Sequence, residues 1–223
     1  MYRTALILAL SLTPAWAEAP NLSASPTGGP GAASRLVLAQ RAYLQAMTDG
    51  DTVLLLAAIR LARSVTPRAP TGWERTTSGE APADQPQGRA SAPDPGGQEA
   101  IAVAQGLAGE DPDLQDLVYE LDAKLPHGRL ETATVANVEL GGGQTDSWRM
   151  PLFGEVPAEI GLIGDGDTPL GLRVTDEAGT VLCTASPGLD PALCRFTPAR
   201  NGFFTVEVTN PGEVRNSYRV IGN

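Results

Sequence analysis

Residues Phe203–Thr209 read FFTVEVT. Phe204, Val206 and Val208 alternate with Phe203, Thr205 and Glu207, the period-two pattern of a strand with one buried face. Seven further short runs share this character: Thr132–Leu140, Ser147–Phe153, Ala158–Gly164, Leu170–Asp176, Thr180–Ala185, Leu193–Thr197 and Ser217–Ile221. Gly, Pro, Asn and Asp punctuate them, Glu177-Ala178-Gly179 reads as a hairpin turn, and no helical period intervenes. The spacing predicts an antiparallel β-sandwich of jelly-roll type over residues 130–223.

Upstream the period changes. Arg35–Thr48 places Leu36, Ala39, Tyr43, Ala46 and Met47 at three-to-four spacing, and Asp49-Gly50 should end that helix. Asp51 is suited to cap a second helix, Thr52–Val65, which is apolar nearly all round apart from Arg60 and Arg63. Residues 34–65 therefore read as a helical hairpin. A second pair occupies residues 99–125: Glu99–Ala108, then Asp113–Leu125 with Leu114, Leu117, Val118, Leu121 and Leu125 on one stripe. The two pairs share a plan, and we expect them to pack as a small four-helix bundle. A tetratricopeptide-like platform for a peptide is the alternative. Residues 18–33 read as a flexible lead-in. Residues 66–98, with six Pro and five Gly, read as a disordered linker whose one aromatic is Trp73. The predicted fold class is α+β, an N-terminal helical hairpin bundle followed by an antiparallel jelly-roll-like β-sandwich.

The compartment is legible too. Arg3, the apolar run Ala5–Leu12, Pro14 and the small-x-small triplet Ala15-Trp16-Ala17 make residues 1–17 a signal peptide by pattern. No later stretch is long and apolar enough to span a bilayer. The expected location is periplasmic or secreted. There the only two cysteines, Cys183 and Cys194, eleven positions apart, should form a disulfide.

The second half also resembles a known family. Ser147–Phe153, Ala158-Glu159-Ile160, Gly164–Thr168, Val174–Gly179, Phe196-Thr197-Pro198, Gly202–Val206 and Asn216-Ser217-Tyr218 occur in an order similar to that of the bacterial pre-peptidase C-terminal domain. The resemblance covers residues 132–221. It implies a non-catalytic β-sandwich associated with secretion or with binding to substrate or surface. Some relatives in that family hold structural calcium. Gly171 stands where the family usually has an internal Asp, and no protease precedes the module.

Composition limits the chemistry. The net charge of −10 opposes nucleic-acid binding. One His, His127, and two Cys leave little scope for His-based catalysis or soft-ligand zinc, and neither GxSxG nor HExxH occurs. Asp165 and Asp167, with Asp176 downstream, offer hard oxygen ligands for calcium; the other reading is a turn whose carboxylates bind backbone N–H groups. Trp148, Phe153, Phe196, Phe203, Phe204 and Tyr218 are expected in the sandwich core. Because Phe203 and Phe204 point to opposite faces of a strand, that pair marks a candidate interface. The expectation is a non-enzymatic binding or interaction protein with no assigned cofactor. Its partner would be an envelope protein, a peptide or a polysaccharide. A carboxylate-based secreted hydrolase and a structural envelope protein are the alternatives.

Overall fold

Two five-stranded sheets and four helices, of which the first packs on one sheet and carries the others through the second helix, make up the computed structural model, which describes residues 19–25, 27–88, 91–123, 131–188 and 191–223. The expected signal peptide, His127 and Leu125 lie outside the described residues. The helices are α1 (Ala32–Asp49), α2 (Thr52–Arg63), α3 (Gln98–Ala108) and α4 (Pro112–Ala123). The strands are β1 (Val65–Arg68), β2 (Glu74–Ser78), β3 (Glu131–Leu140), β4 (Thr145–Leu152), β5 (Ala158–Gly164), β6 (Gly171–Thr175), β7 (Val181–Ala185), β8 (Ala192–Phe196), β9 (Gly202–Thr209) and β10 (Asn216–Gly222).

The first sheet runs β1-β3-β10-β5-β8 and the second β2-β4-β9-β6-β7. Every pairing is antiparallel except β1 with β3. Inward residues of both sheets, including Trp148, Met150, Ile160, Leu162, Val174, Phe196, Phe204, Val206 and Tyr218, form one buried cluster. All seven residues of β5 are buried because both of its faces are covered. Ile160 and Leu162 point into the sandwich, while Ile163 packs beneath α1 with Val37 and Ile221. A Cβ on Gly161 would lie 3.0 Å from Val37 Cγ2, so glycine here permits the close approach of α1.

Four helices form where the sequence predicts them, but α2 stops at Arg63 rather than Val65, because Val65 leaves the helix to pair with Glu131 as the first residue of β1. Gly50 ends α1 in the left-handed conformation (φ 66°), and the Asp51 carboxylate accepts from Leu54 N–H at 2.9 Å. Helix α2 is the central one: Leu55, Leu56, Ala58 and Ile59 share a buried cluster with Tyr43 and Ala46 of α1, Ile101 and Ala104 of α3, and Val118 of α4. On α4, Val118 is buried and Leu114 and Leu121 pack partly against that cluster, but Leu117 of the expected stripe is exposed.

Two expectations are corrected. The stretch 66–98 contributes β1 to the edge of the first sheet and β2 to the edge of the second. Trp73 packs edge-on against Trp148 with ring centroids 6.1 Å apart, so its apolar surface is used in closing the sandwich. The short, polar β2 carries no hydrophobic signal because it pairs by backbone and is exposed along its length. The lead-in is also fixed in place. Asn21 is fully buried; its side chain donates to Arg200 O and accepts from Arg200 N–H, while its own N–H reaches Asp176.

The opposite edge is closed covalently. Cys183 on β7 and Cys194 on β8 form a disulfide, with Cα atoms 5.9 Å apart, that joins the two sheets. Replacing both cysteines by alanine should lower stability by about 2–3 kcal/mol through the lost constraint on the unfolded chain. Urea unfolding should show this as a fall in midpoint; an unchanged midpoint would mean that the staple carries no stability.

Candidate binding cleft

Helix α1 lies across β5 and its neighbours in the first sheet, α2 meets β1, and α3 and α4 pack on α2, with Gln98 and Asp122 at their ends reaching the same side of the sheet. Between them is a half-open cleft of about 450 Å³. Its apolar surface comes from Leu36, Ala62, Val65, Pro67, Val135 and Ile221; its polar groups are Arg63, Asp94, Gln98, Asp122, Asn137 and Arg219. Arg219 faces outward because its neighbours Tyr218 and Val220 fill the sandwich. Its guanidinium donates to Gln40 Oε1 at 3.0 Å and Pro93 O at 3.2 Å, and lies 3.7 Å from the Asp94 carboxylate. Arg63 donates to Gly96 O at 3.2 Å and Leu121 O at 2.6 Å. The segment 91–97 is thereby strapped over β10. A smaller recess of about 280 Å³ lies beyond it, lined by Gln40, Leu44, Pro93, Asp165, Thr168 and Pro191 among others.

The acidic candidates separate into two places. Asp165 and Asp167 share the β5–β6 turn, and Asp176 stands at the far end of β6. Asp165 accepts from Asp167 N–H at 3.0 Å and Ser217 N–H at 2.6 Å. Asp176 accepts from the N–H groups of Asn21, Ala178 and Thr180 at 2.9, 3.0 and 2.8 Å. Burial pushes the Asp176 carboxyl up, but these N–H donors outweigh it and hold the group below the usual carboxylate range. Among the described residues, no cluster of three or more His, Cys, Asp or Glu side chains is arranged to hold a metal. Asp165 and Asp176 thus sit as turn-forming acceptors, and strand β6 between the two turns holds Asp176 apart from Asp165 and Asp167.

Phe204 is in the core. Phe203 lies on the outer face of the second sheet, where the Arg149 guanidinium sits 3.3 Å from its ring centroid. The helices pack chiefly on the other sheet, so they do not cover Phe203. Phe153, expected in the core, is exposed at the end of β4.

Two buried carboxylates escaped notice in the sequence. Glu159 on β5 accepts from the N–H groups of Gly31 (2.8 Å) and Ser34 (2.9 Å), the Ser34 hydroxyl (2.7 Å) and Arg195 Nε (3.1 Å). It is the N-terminal cap of α1, supplied by the sheet. Burial raises its pKa, and the Ser34 and Gly31 hydrogen bonds with Arg195 more than reverse that, for a net lowering. Asp146 accepts from the Tyr218 hydroxyl and the Thr77 hydroxyl, each at 2.5 Å, and pairs with Arg75 at 2.7 Å. The indole N–H of Trp148 donates to Tyr218 Oη at 2.9 Å. Burial first, then the Asp146 carboxylate, pushes the Tyr218 phenol well above its usual range. Asp146 shares the inward parity of Trp148 and Met150 on β4; that parity was the available signal. For Arg219 the outward parity was readable, but the strap it holds comes from a stretch that looked structureless.

A scan against family models finds no match to the chain, and a search of curated proteins finds none either.

Proposed function

We propose that the protein is an exported, non-catalytic binding protein that takes its partner in the cleft between the helices and the first sheet. The sandwich is read as a pre-peptidase C-terminal-like jelly roll. The order β3-β10-β5-β8 against β4-β9-β6-β7 supports the jelly-roll reading, since successive strands alternate between sheets around the barrel until the β6–β7 hairpin. The Cys183–Cys194 disulfide suits an oxidising compartment. Among the described residues, no helix is long and apolar enough to cross a membrane.

One observation carries the binding reading. The buried carboxylates Glu159, Asp146, Asp165 and Asp176 are all engaged in hydrogen bonds that hold the fold and stand at separate places. The cleft acids are the exposed Asp94 and Asp122. A carboxylate-based hydrolase needs two facing acids across a substrate, one of them with a raised pKa. A mixed apolar and polar cleft at the junction of two structural layers is instead suited to holding a ligand.

The test uses the mature protein as bait in envelope extract, beside an Asn137→Trp variant that fills the cleft from an exposed position. The expected result is a partner retained by the wild type and lost by the variant. Retention by both would move the binding site elsewhere, and hydrolysis of a polysaccharide or peptide panel would replace the reading with an enzymatic one.

A further inference from the structure

We propose that one end of the sandwich, carrying Phe153 and Phe203, is a lipid-binding surface on which the exported protein rests against a bilayer. This end lies apart from the cleft, and its role does not depend on what the cleft holds.

The exposed apolar side chains of the sandwich are gathered there. Among the described residues outside the helices, the large apolar side chains left exposed are Leu22, Phe153, Val156, Val181 and Phe203. Phe153 and Val156 belong to the β4–β5 turn, Val181 starts β7 and Phe203 is near the start of β9. Gly154 N–H donates to Asn201 Oδ1 at 2.8 Å and Glu155 N–H to Pro198 O at 2.7 Å, which ties the β4–β5 turn to the β8–β9 turn. Phe203 N–H donates to Glu177 in the β6–β7 turn at 3.0 Å, and that turn leads into Val181. Leu22 joins them because Asn21 bonds to Arg200 and Ser23 N–H donates to Thr197 O at 2.8 Å. Single exposed apolar residues are ordinary, but their concentration at one end marks an interaction surface.

The tether, the shape and the charge all select lipid as the occupant. The described residues begin with Ala19, beside Asn21 at this same end. Only residues 13–18 separate Ala19 from the apolar run Ala5–Leu12, read above as the core of an export signal. Those residues reach about 20 Å at full extension. Strand β9, with 8 residues, is about 27 Å long, so the opposite end of the sandwich is beyond that reach. During export this is therefore the end held at the membrane. The five side chains come from separate turns and strand ends, and none of them lines either recess. Separate apolar tips suit a fluid apolar phase, which needs no matching shape. Arg149 and Arg200 offset Glu155 and Glu177 here, although the chain as a whole carries a net charge of −10. The Arg149 guanidinium lies 3.3 Å from the Phe203 ring centroid, and its stem is long enough to reach headgroups while the ring is immersed.

Co-sedimentation of the mature protein, which lacks the leader, with vesicles of phosphatidylcholine, alone or mixed with phosphatidylglycerol, tests this. Binding to both is expected, with little dependence on salt, because apolar insertion carries it. Phe153→Ser and Phe203→Ser, each checked for native circular dichroism, should each weaken binding by about tenfold. Tyr119→Ser, at a side chain 73% exposed on α4, should leave it unchanged. No binding to either vesicle, binding to the phosphatidylglycerol mixture alone that salt abolishes, or an equal loss on Tyr119→Ser would each overturn the proposal. An envelope protein retained by the wild type and lost on Phe153→Ser, without vesicle binding, would overturn it in favour of a protein partner at this end.

Discussion

Replacing Glu159 by alanine is expected to destabilise the protein by about 4 kcal/mol, enough to lower the melting temperature by about 10 °C in a chain of this size. The side chain is buried and its two oxygens take four donors: the Gly31 and Ser34 N–H groups, the Ser34 hydroxyl and Arg195. Alanine leaves the start of α1 without acceptors and Arg195 without its buried counter-charge. Because α1 covers β5, the damage should loosen the junction between helices and sheet. The same residue sets an acid limit. Its folded pKa lies below the ordinary glutamate value of 4.5, so its contribution is complete above that value. It is lost as the pH falls through the lowered folded value. Asp176, also lowered from the ordinary aspartate value of 3.8, acts in the same direction. Wild-type stability should therefore decline below about pH 4.5, and the Glu159→Ala curve should decline less steeply. A loss under about 1 kcal/mol, the scale of a surface substitution, would show that the cap is not needed.

Asp146→Ala should cost about 3–5 kcal/mol, the range for removing one partner of a buried charge pair. It leaves the Tyr218 hydroxyl and the Thr77 hydroxyl without their acceptor, and Arg75 beside an uncharged wall. Strand β2 should be released first, because Arg75 and Thr77 reach back from it to the sandwich. Trp73 and Trp148, in edge contact at this corner, should then report the change as red-shifted fluorescence. Native-state hydrogen exchange should show β2 amides losing protection while β9 keeps it. Intact β2 protection in the variant would mean that backbone pairing with β4 alone holds the strand.

The eight strands from β3 to β10 were legible because each alternates or forms an apolar run between turn residues, as FFTVEVT does. The caps at Gly50 and Asp51 were legible because local chemistry fixes them. Strands β1 and β2 were not, since VTPR buries Val65 alone and ERTTS is exposed throughout, and both form only against β3 and β4. That omission hid the cleft as well. Its strap and one wall come from the Pro- and Gly-rich stretch, and composition alone cannot distinguish a loose linker from one pinned by Arg63 and Arg219. Alternating Asp and Gly make residues 164–167 legible as a turn, but sequence order does not show that β6 holds Asp176 apart from Asp165 and Asp167. Strand parity makes Phe203 face away from Phe204, but which face of the sheet is covered depends on where the helices pack, which parity does not encode.

The most direct test of a partner site between helices and sheet is hydrogen–deuterium exchange on the protein with and without a partner retained from envelope extract. Protection is predicted in residues 62–67, 94–98, 135–137 and 219–221, which line the cleft. Protection confined to the Phe153 and Phe203 end of the second sheet, with those segments unchanged, would contradict it.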